Sequence, residues 1–213
     1  MSGSFNLKDI TGNYSGPDWD PDNLWYETAP QLMVRNGDGY DFYYFLNDGL
    51  DNGDGTYSPA WVDPGATPAD IEIDAGTGFW IFDPFNATAD YTISGQVPAD
   101  SQIERTYPAD FNLTANPYPV SFGVEDVIWG GITGPDWDPD NLWYETAPQL
   151  MVRNGDGYDF YYFLNDGLDN GDGTYSPAWV DPGATPVSGT LINGGDAFWF
   201  KPTGEVKVTY SIR

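Results

Sequence analysis

The sequence contains no cysteine and no histidine, and only 7 of its 213 residues are lysine or arginine. The absence of cysteine and histidine excludes disulfides, thiol catalysis, Ser-His-Asp chemistry and the usual zinc and copper sites. The sequence also has no apolar run long enough to form a spanning helix, so it predicts no insertion into a membrane. Its N-terminal residues lack the basic and apolar regions of a signal peptide, which leaves the export route open.

Acidic residues dominate the charge. There are 33 of them against 7 basic residues, which gives a net charge of −26. Such a chain repels phosphate backbones and anionic lipid headgroups, so we expect neither nucleic acid nor a membrane surface as a partner. Aspartate accounts for 27 of the acids, and aspartate favours turns and loops over helix surfaces. We therefore expect the negative charge to lie mainly on loops. Cations and neutral polymers are the partners that this charge still allows.

The remaining composition is typical of a protein built from strands and turns. Aromatic residues make up 17% of the chain, and there are 26 glycines and 18 prolines. No stretch keeps the apolar spacing of a helix over about ten residues without a glycine or proline interrupting it. We predict an all-β fold of mostly antiparallel strands, arranged as two tandem β-sandwich or barrel-like repeats.

An internal repeat organises the sequence. Residues 16–68 recur without a single change at 134–186, a shift of 118 positions. Outside this block the similarity is weak, and the first repeat lacks about a strand's worth of the residues present at 111–127. Recent duplication, engineering and selection on the block each explain the pattern. We place the first repeat at 1–107 and the second at 108–213.

Each repeat predicts strands joined by tight turns. Residues 31–35 and 40–46 flank the tetrapeptide Asn-Gly-Asp-Gly, which is the strongest short signal for a hairpin. The run YDFYYFL places aromatic residues on both faces of a strand, so we expect both faces to be covered. A loop over 47–56 follows it. Residues 78–82 and 91–97 predict a further strand pair.

Five motifs suggest a relationship with known sequences. They are APQLMV at 29–34, GYDFYYF at 39–45, AWVD at 60–63, AGTGFW at 75–80 and FNLTANPYPV at 111–120. Their order resembles a repeat of uncharacterised secreted or surface proteins of environmental bacteria. The resemblance implies a β-rich protein that is extracellular or at the cell surface. The first repeat departs from the pattern because it lacks the NPYPV segment, which leaves open whether it closes its own sheet.

Two loops in each repeat carry aspartates at spacings that suit calcium. Residues 18–23 place carboxylates at alternate positions, as in the first half of an EF-hand loop, and residues 47–55 separate aspartates with glycines. Calcium takes about six to eight oxygen ligands, and bound cations would relieve the negative charge. A solvated acidic turn is the alternative interpretation of each loop. The candidate calcium ligands are Asp18, Asp20, Asp22, Asp48, Asp51, Asp54, Asp136, Asp138, Asp140, Asp166, Asp169 and Asp172.

Aromatic side chains next to polar ones raise a second hypothesis, which is binding of carbohydrate. Flat rings beside acids and amides are the parts that a sugar platform needs. Trp19 and Trp137 are the best candidates because aspartates flank each of them. Trp80 and Trp199 lie inside apolar strands, and we expect them in the core.

We expect a protein without enzymatic activity. The leading hypothesis is a secreted or cell-surface structural protein that self-assembles into a fibre or layer through β-strand contacts, with calcium as a candidate stabilising ion. The segments 2–10 and 206–213 are the expected strand donors for a neighbouring subunit. The alternative is a carbohydrate-binding or adhesive module, whose partner would be a polysaccharide.

Overall fold

The computed structural model describes residues 4–36, 39–74, 76–84, 91–93, 102–118, 120–155 and 157–211. The described chain is mostly β-structure, in several antiparallel sheets, which confirms the all-β prediction. It falls into two compact units, a first unit within residues 3–97 and a second unit within residues 98–213. Each unit is described by itself below.

The first unit contains three antiparallel sheets. The largest has the strand order β5-β4-β3-β7, and β1-β6 and β2-β8 form two-stranded sheets. Short 3₁₀ turns cover Leu7–Asp9 and Trp25–Glu27. The strands are β1 (Ser4–Asn6), β2 (Ile10–Gly12), β3 (Gln31–Asn36), β4 (Gly39–Asp51), β5 (Tyr57–Val62), β6 (Glu72–Asp74), β7 (Phe79–Phe82) and β8 (Tyr91–Ile93).

The second unit contains the sheets β10-β17-β13-β14-β15, β12-β18-β9 and β11-β16. A 3₁₀ turn covers Val124–Asp126, and the helix α1 covers Trp143–Thr146. The strands are β9 (Gln102–Tyr107), β10 (Asn112–Ala115), β11 (Phe122–Gly123), β12 (Ile128–Gly130), β13 (Gln149–Asn154), β14 (Gly157–Asp169), β15 (Tyr175–Val180), β16 (Leu191–Ile192), β17 (Ala197–Lys201) and β18 (Val206–Ser211).

The predicted hairpin is present, and both faces of β4 contact apolar partners. Strands β3 and β4 pair from Gln31 opposite Tyr44 to Asn36 opposite Gly39. On one face Phe45 packs in the cluster around Leu7, Leu32 and Trp61. On the other face Tyr44 and Leu46 pack with Trp25. The cover is incomplete towards the turn, where Phe42 is 37% exposed.

The predicted pairing of residues 78–82 with 91–97 is wrong. Strand β7 pairs with β3, whereas β8 pairs with β2 in a different sheet. Residues 94–97 lie outside the described residues. The sequence identified both strands from their apolar and β-branched residues, but it assigned their partners by proximity along the chain. The actual partners lie about 45 and 80 residues upstream, a distance that local turn signals do not encode.

Two strands of the second unit have no counterpart among the described residues of the first unit. Strand β10 pairs with β17, and β9 pairs with β18. Tyr107 is the last residue of β9. Its hydroxyl lies 2.7 Å from the Thr114 hydroxyl of β10 and 2.9 Å from the Tyr210 hydroxyl of β18. Strand β9 lies before the position at which we divided the repeats, and it belongs to the second unit.

The NPYPV segment folds onto the core of the second unit. Asn116 is 5% exposed, and its Nδ2 donates to the carbonyls of Val120 and Ile192 at 2.7 and 3.1 Å. Its Oδ1 accepts the backbone N–H of Tyr118 at 2.9 Å. A buried amide with these partners is stabilising because both its oxygen and its nitrogen are hydrogen-bonded. The segment thereby places Tyr118, which is 3% exposed, over the apolar cluster.

This additional cover changes the burial of equivalent strands. In β17, Phe198 and Phe200 are 1% and 0% exposed. The corresponding Phe79 and Ile81 of β7 are only half-buried. Trp80 and Trp199, which we expected in the core, are only half-buried. In β17 the flanking Phe198 and Phe200 are the deeply buried residues.

Candidate functional site

A β-bulge in the long strand β4 is the starting point of the candidate site. The pairing of β4 with β5 shifts register between Leu46 and Leu50 and then continues to Asp51 opposite Tyr57. The loop that we predicted over residues 47–56 therefore begins only after Asp51, and Asp48 and Asp51 lie in a strand. Bulges redirect side chains out of the regular alternation of a strand, and here the bulge redirects Asn47 and Asp48.

Asn47 fastens the preceding acidic loop to the bulge. Its Oδ1 accepts the backbone N–H of Gly16 at 3.2 Å, and its Nδ2 donates to the Gly16 carbonyl. The Asn47 backbone N–H also donates to the Pro17 carbonyl at 3.1 Å. A Cβ atom on Gly16 would lie 2.0 Å from the Phe45 carbonyl oxygen, so this close approach requires glycine. Asn165 and Gly134 repeat these contacts in the second unit.

Asp48 holds the next part of the same loop. Its Oδ1 accepts the backbone N–H of Trp19 at 2.7 Å, and Asp166 accepts the N–H of Trp137 at the same distance. Because the backbone of each tryptophan is fixed and its flanking residues are polar, the indole ring stays outside the core. Trp19 is 48% exposed and Trp137 is 49% exposed, as the sequence predicts.

A tight turn after β5 forms a further part of the site. The Oδ1 atom of Asp63 accepts the backbone N–H groups of Gly65 and Thr67 at 2.8 and 2.9 Å. The Ala66 N–H donates to the Asp63 carbonyl at 2.9 Å, and Ala66 has a φ of 59°. A non-glycine residue in this conformation is uncommon. Here the hydrogen bonds of Asp63 on both sides of Ala66 hold the turn.

The bulge, the loop and the turn together line a groove in each unit. The first groove has a volume of about 570 Å³. It is lined by Trp19, Leu46, Asp48, Gly49, Leu50, Asp51, Tyr57, Gly65, Ala66 and Pro68. The second groove has a volume of about 500 Å³. It is lined by Trp137, Leu164, Asp166, Gly167, Asp169, Tyr175, Gly183, Ala184 and Pro186. Both volumes fall in the range of small-ligand sites.

Exposed rings and carboxylates are the chemical groups that each groove offers. Tyr57 and Tyr175 are both 60% exposed, and Leu50 of the first groove is 41% exposed. Among the described residues, no lysine or arginine lines either groove. The grooves therefore combine apolar ring faces with negative charge, and they offer hydrogen-bond acceptors to a ligand that carries donors.

The structure brings only some of the predicted site residues together. Trp19 lies with Asp48 and Asp51 in the first groove, and Trp137 lies with Asp166 and Asp169 in the second. Asp18 and Asp20 line a neighbouring cavity of about 470 Å³ beside Trp19. The carboxylates that line neither groove are Asp18, Asp20, Asp22, Asp54, Asp136, Asp138, Asp140 and Asp172.

Several of the predicted calcium ligands cap turns. Asp20 accepts the N–H of Asp22 at 2.9 Å, and Asp51 accepts the N–H of Gly53 at 2.8 Å. Asp54 accepts both the N–H and the hydroxyl of Thr56. Within the described ranges, no group of three or more acidic side chains is placed to hold a metal ion. Turn capping accounts for these aspartates without a cation, and calcium binding stays a prediction from the sequence.

The residues that complete the grooves, notably Leu50 and the turn at Ala66, were not predicted from the sequence. The sequence does contain a signal for Leu50. If the hairpin turn is placed at Asn52–Thr56, the chain pairs Asp51 with Tyr57 and Leu50 with Ser58, as the structure does. The role of Ala66 had no such signal, because alanine gives no indication of a positive φ.

No family model, curated protein or solved structure matches this chain. The resemblance to secreted bacterial β-repeats therefore stays a prediction. Within the described part of the chain, no helix has the length and apolar character needed to cross a membrane.

The turn-capping aspartates predict a specific acid sensitivity. The Thr56 hydroxyl, followed by the Thr56 N–H, holds the pKa of Asp54 below its usual 3.8, and Thr174 does the same for Asp172. A lowered folded-state pKa stabilises the fold above the unfolded pKa, and this stabilisation is lost as pH falls through the folded value. We expect the free energy of unfolding to fall less steeply below about pH 4 in the variant Asp54→Asn/Asp172→Asn than in the native protein.

Urea denaturation from about pH 5 to about pH 2 measures this difference. Each single variant serves as an internal control, because the two turns are identical in sequence and each should account for about half of the change. Parallel pH profiles for the native protein and the double variant would contradict the assignment.

Proposed function

We propose that the protein is a non-catalytic binding protein for neutral polysaccharide, with one binding groove in each of two tandem β-sandwich or barrel-like repeats. The observation that carries this proposal is the pairing of a half-exposed tryptophan with a more exposed tyrosine at a groove that also contains two aspartates. This arrangement occurs twice in the chain.

The ring faces of Trp19 and Tyr57 supply the apolar part of the interaction. Exposed tryptophan and tyrosine side chains that are not needed in the core offer large and rigid contact areas. The pyranose ring of a sugar has an apolar face of C–H groups that stacks on such a ring. Leu50, which is 41% exposed, adds apolar surface to the same groove.

The carboxylates of Asp48 and Asp51 supply the polar part. Each uses Oδ1 to accept a backbone N–H of its own chain, which fixes the orientation of the carboxylate. Sugar hydroxyls are donors, and hydrogen bonds to an ionised acceptor are stronger than those between neutral groups. An aspartate that is held in place loses less conformational entropy when it binds a ligand.

The charge of the protein selects among polysaccharides. The chain has a net charge of −26, and no basic residue lines either groove in the described part of the chain. Uronic acid or sulfated polymers would be repelled, because like charges in a partly desolvated groove are unfavourable. A neutral polymer avoids this repulsion and still satisfies the carboxylates.

Two equivalent grooves on one chain make a polymeric ligand favourable. When one groove has bound a polysaccharide, the second groove meets a neighbouring stretch at high effective concentration, and avidity rises by about 10²–10⁴ where the geometry allows both contacts. The identical residues 16–68 and 134–186 supply nearly the whole lining of both grooves. A binding role of this kind suits an extracellular or cell-surface location, with calcium as a candidate stabilising ion.

Removal of the tryptophan rings tests the proposal. We expect Trp19→Ala or Trp137→Ala alone to weaken binding to a soluble neutral glucan by about 10²–10⁴-fold, because avidity is lost. The double variant should show no measurable binding. Affinity electrophoresis or isothermal titration calorimetry measures the effect, and chelator in parallel samples reveals any calcium requirement.

The matched control is Phe42→Ala/Phe160→Ala. These exposed rings lie on β4 and β14 at 37% and 39% exposure, and they line neither groove. The control variant should bind as the native protein does. Retention of glucan binding by the double tryptophan variant would overturn the proposal, and so would equal binding of a carboxylated polymer.

Self-assembly is the second candidate function, and a difference between the units favours it. Phe79 and Ile81 are half-buried where Phe198 and Phe200 are buried, and Phe82 is 53% exposed. An apolar strand with this exposure is a site at which a second copy of the chain adds its own β7 and extends the sheet. This contact supports association into a structural assembly.

The segments that we expected to donate a strand are paired within the chain. Residues 4–6 and 10–12 pair with β6 and β8, and residues 206–211 pair with both β12 and β9. A donor from either end would have to leave these sheets first.

The substitution Phe82→Lys tests the association through β7. Lysine is the residue at the corresponding position 201 of the second unit, and charged residues on exposed strands oppose edge contacts. We expect the native protein to associate as its concentration rises, and the variant to stay monomeric under the same conditions. Analytical ultracentrifugation gives the readout.

The control for charge is Leu191→Lys, which replaces a 56% exposed residue on the second unit and should associate normally. A native protein that is monomeric at all concentrations would exclude this candidate, and so would a Phe82→Lys variant that associates as the native protein does.

A further inference from the structure

The first unit contains a cavity of about 600 Å³ beside the first groove. Its walls include Ile10 and the rings of Tyr14, Phe45 and Trp61. The Tyr14 ring lies 4.5 Å from the Phe45 ring at 86° and 5.8 Å from the Trp61 ring at 49°. The cavity therefore presents aromatic surfaces in several orientations.

The second unit shows what fills the equivalent place. Trp179 is the copy of Trp61, and the ring of Trp129 lies 5.0 Å from it at 65°. The same Trp129 ring lies 4.9 Å from Phe200. Trp129 is the middle residue of β12, and the middle residue of the corresponding β2 is Thr11. The first unit thus has a threonine where the second has an indole.

A second substitution enlarges the same cavity. The backbone N–H of Ala69 donates to the Trp61 carbonyl at 2.8 Å, and the N–H of Val187 donates to the Trp179 carbonyl at 2.8 Å. Ala69 and Val187 therefore occupy the same position in the two units. Val187 packs against the apolar cluster of the second unit. The smaller Ala69 packs against the cluster of the first unit and also lines the cavity. At both positions the first unit has a smaller side chain than the second unit.

Several polar groups at the cavity already have partners within the chain, whereas the buried Nε1 of Trp61 has no hydrogen-bond partner among the described residues. The Tyr14 hydroxyl donates to the Ile10 carbonyl at 2.7 Å. Lys8 forms an ion pair with Asp70 at 3.2 Å, and the Asn47 amide holds Gly16. A charged ligand would have to break these contacts, whereas a neutral ring would contact mainly the apolar walls. Apolar cavities of proteins take up small aromatic molecules for this reason.

We infer that this cavity is a binding site for a neutral aromatic small molecule of about the size of indole, and that the second unit has no such site because Trp129 occupies it. The ligand ring packs against Trp61 as Trp129 packs against Trp179, with an inclined edge-to-face contact. This site is separate from the polysaccharide proposal, since it takes one apolar ring in one unit only.

Titration with indole tests the inference by stoichiometry. We expect one equivalent of indole per native chain with a Kd of about 1 mM or below, measured by calorimetry and by saturation-transfer NMR. Thr11→Trp supplies the missing ring and should weaken binding at least tenfold, while Thr11→Val should bind as the native chain does. Trp129→Thr should open the second site and raise the stoichiometry from one to two.

Two further variants control for misfolding and for binding at the grooves. Ala69→Val makes a smaller change than Thr11→Trp and should weaken binding several-fold even if the larger substitution perturbs folding. Trp19→Ala/Trp137→Ala removes the grooves' rings and should leave indole binding unchanged, which separates this site from the grooves. The inference is overturned if the native chain binds no indole at millimolar concentration, or if Thr11→Trp and Ala69→Val both bind as the native chain does.

Discussion

The hydrogen bonds between the Asn47 side chain and the backbone of Gly16 are the interaction on which the candidate site depends. The acidic loop after Gly16 contributes few apolar residues to a core, and its negative charges repel one another. Each neutral hydrogen bond adds only about 1 kcal/mol net. The Asn47 amide, the Asp48 carboxylate and the close approach at Gly16 act on consecutive parts of the loop, and together they hold Trp19 at the rim of the groove.

The bulge in β4 connects this local interaction to the fold. Before the bulge, β4 alternates between two apolar clusters, as a strand within a packed unit does. At the bulge, Gly49 comes so close to β5 that a Cβ atom would lie 2.9 Å from the Ala60 carbonyl. The strand then continues to Asp51, which pairs with Tyr57 of β5, and both residues lie outside the core. The bulge thus divides β4 into a part that packs in the core and a part that faces solvent.

Local signals predicted much of the fold, and non-local contacts account for what was missed. Asn-Gly-Asp-Gly and the aromatic run correctly predicted the β3–β4 hairpin, and the flanking aspartates correctly predicted an exposed Trp19. The partners of β7 and β8 could not be predicted, because they depend on strands far upstream. The bulge was also missed, since it exists only in the register between β4 and β5. The calcium interpretation of the aspartates arose from their spacing and from the negative charge of the chain, and it stays a prediction. Neither feature distinguishes a metal ligand from a cap of a turn.

The most direct test of this account is amide hydrogen exchange in the variant Asn47→Ala, with the untouched Asn165 copy in the same chain as the reference. The account predicts that amides of residues 16–23 exchange about tenfold faster, as expected for a loss of about 1.4 kcal/mol of local stability, while residues 134–141 and the core of β3 keep their native rates. Native exchange rates throughout residues 16–23 would contradict the claim that Asn47 holds the loop and its tryptophan in place.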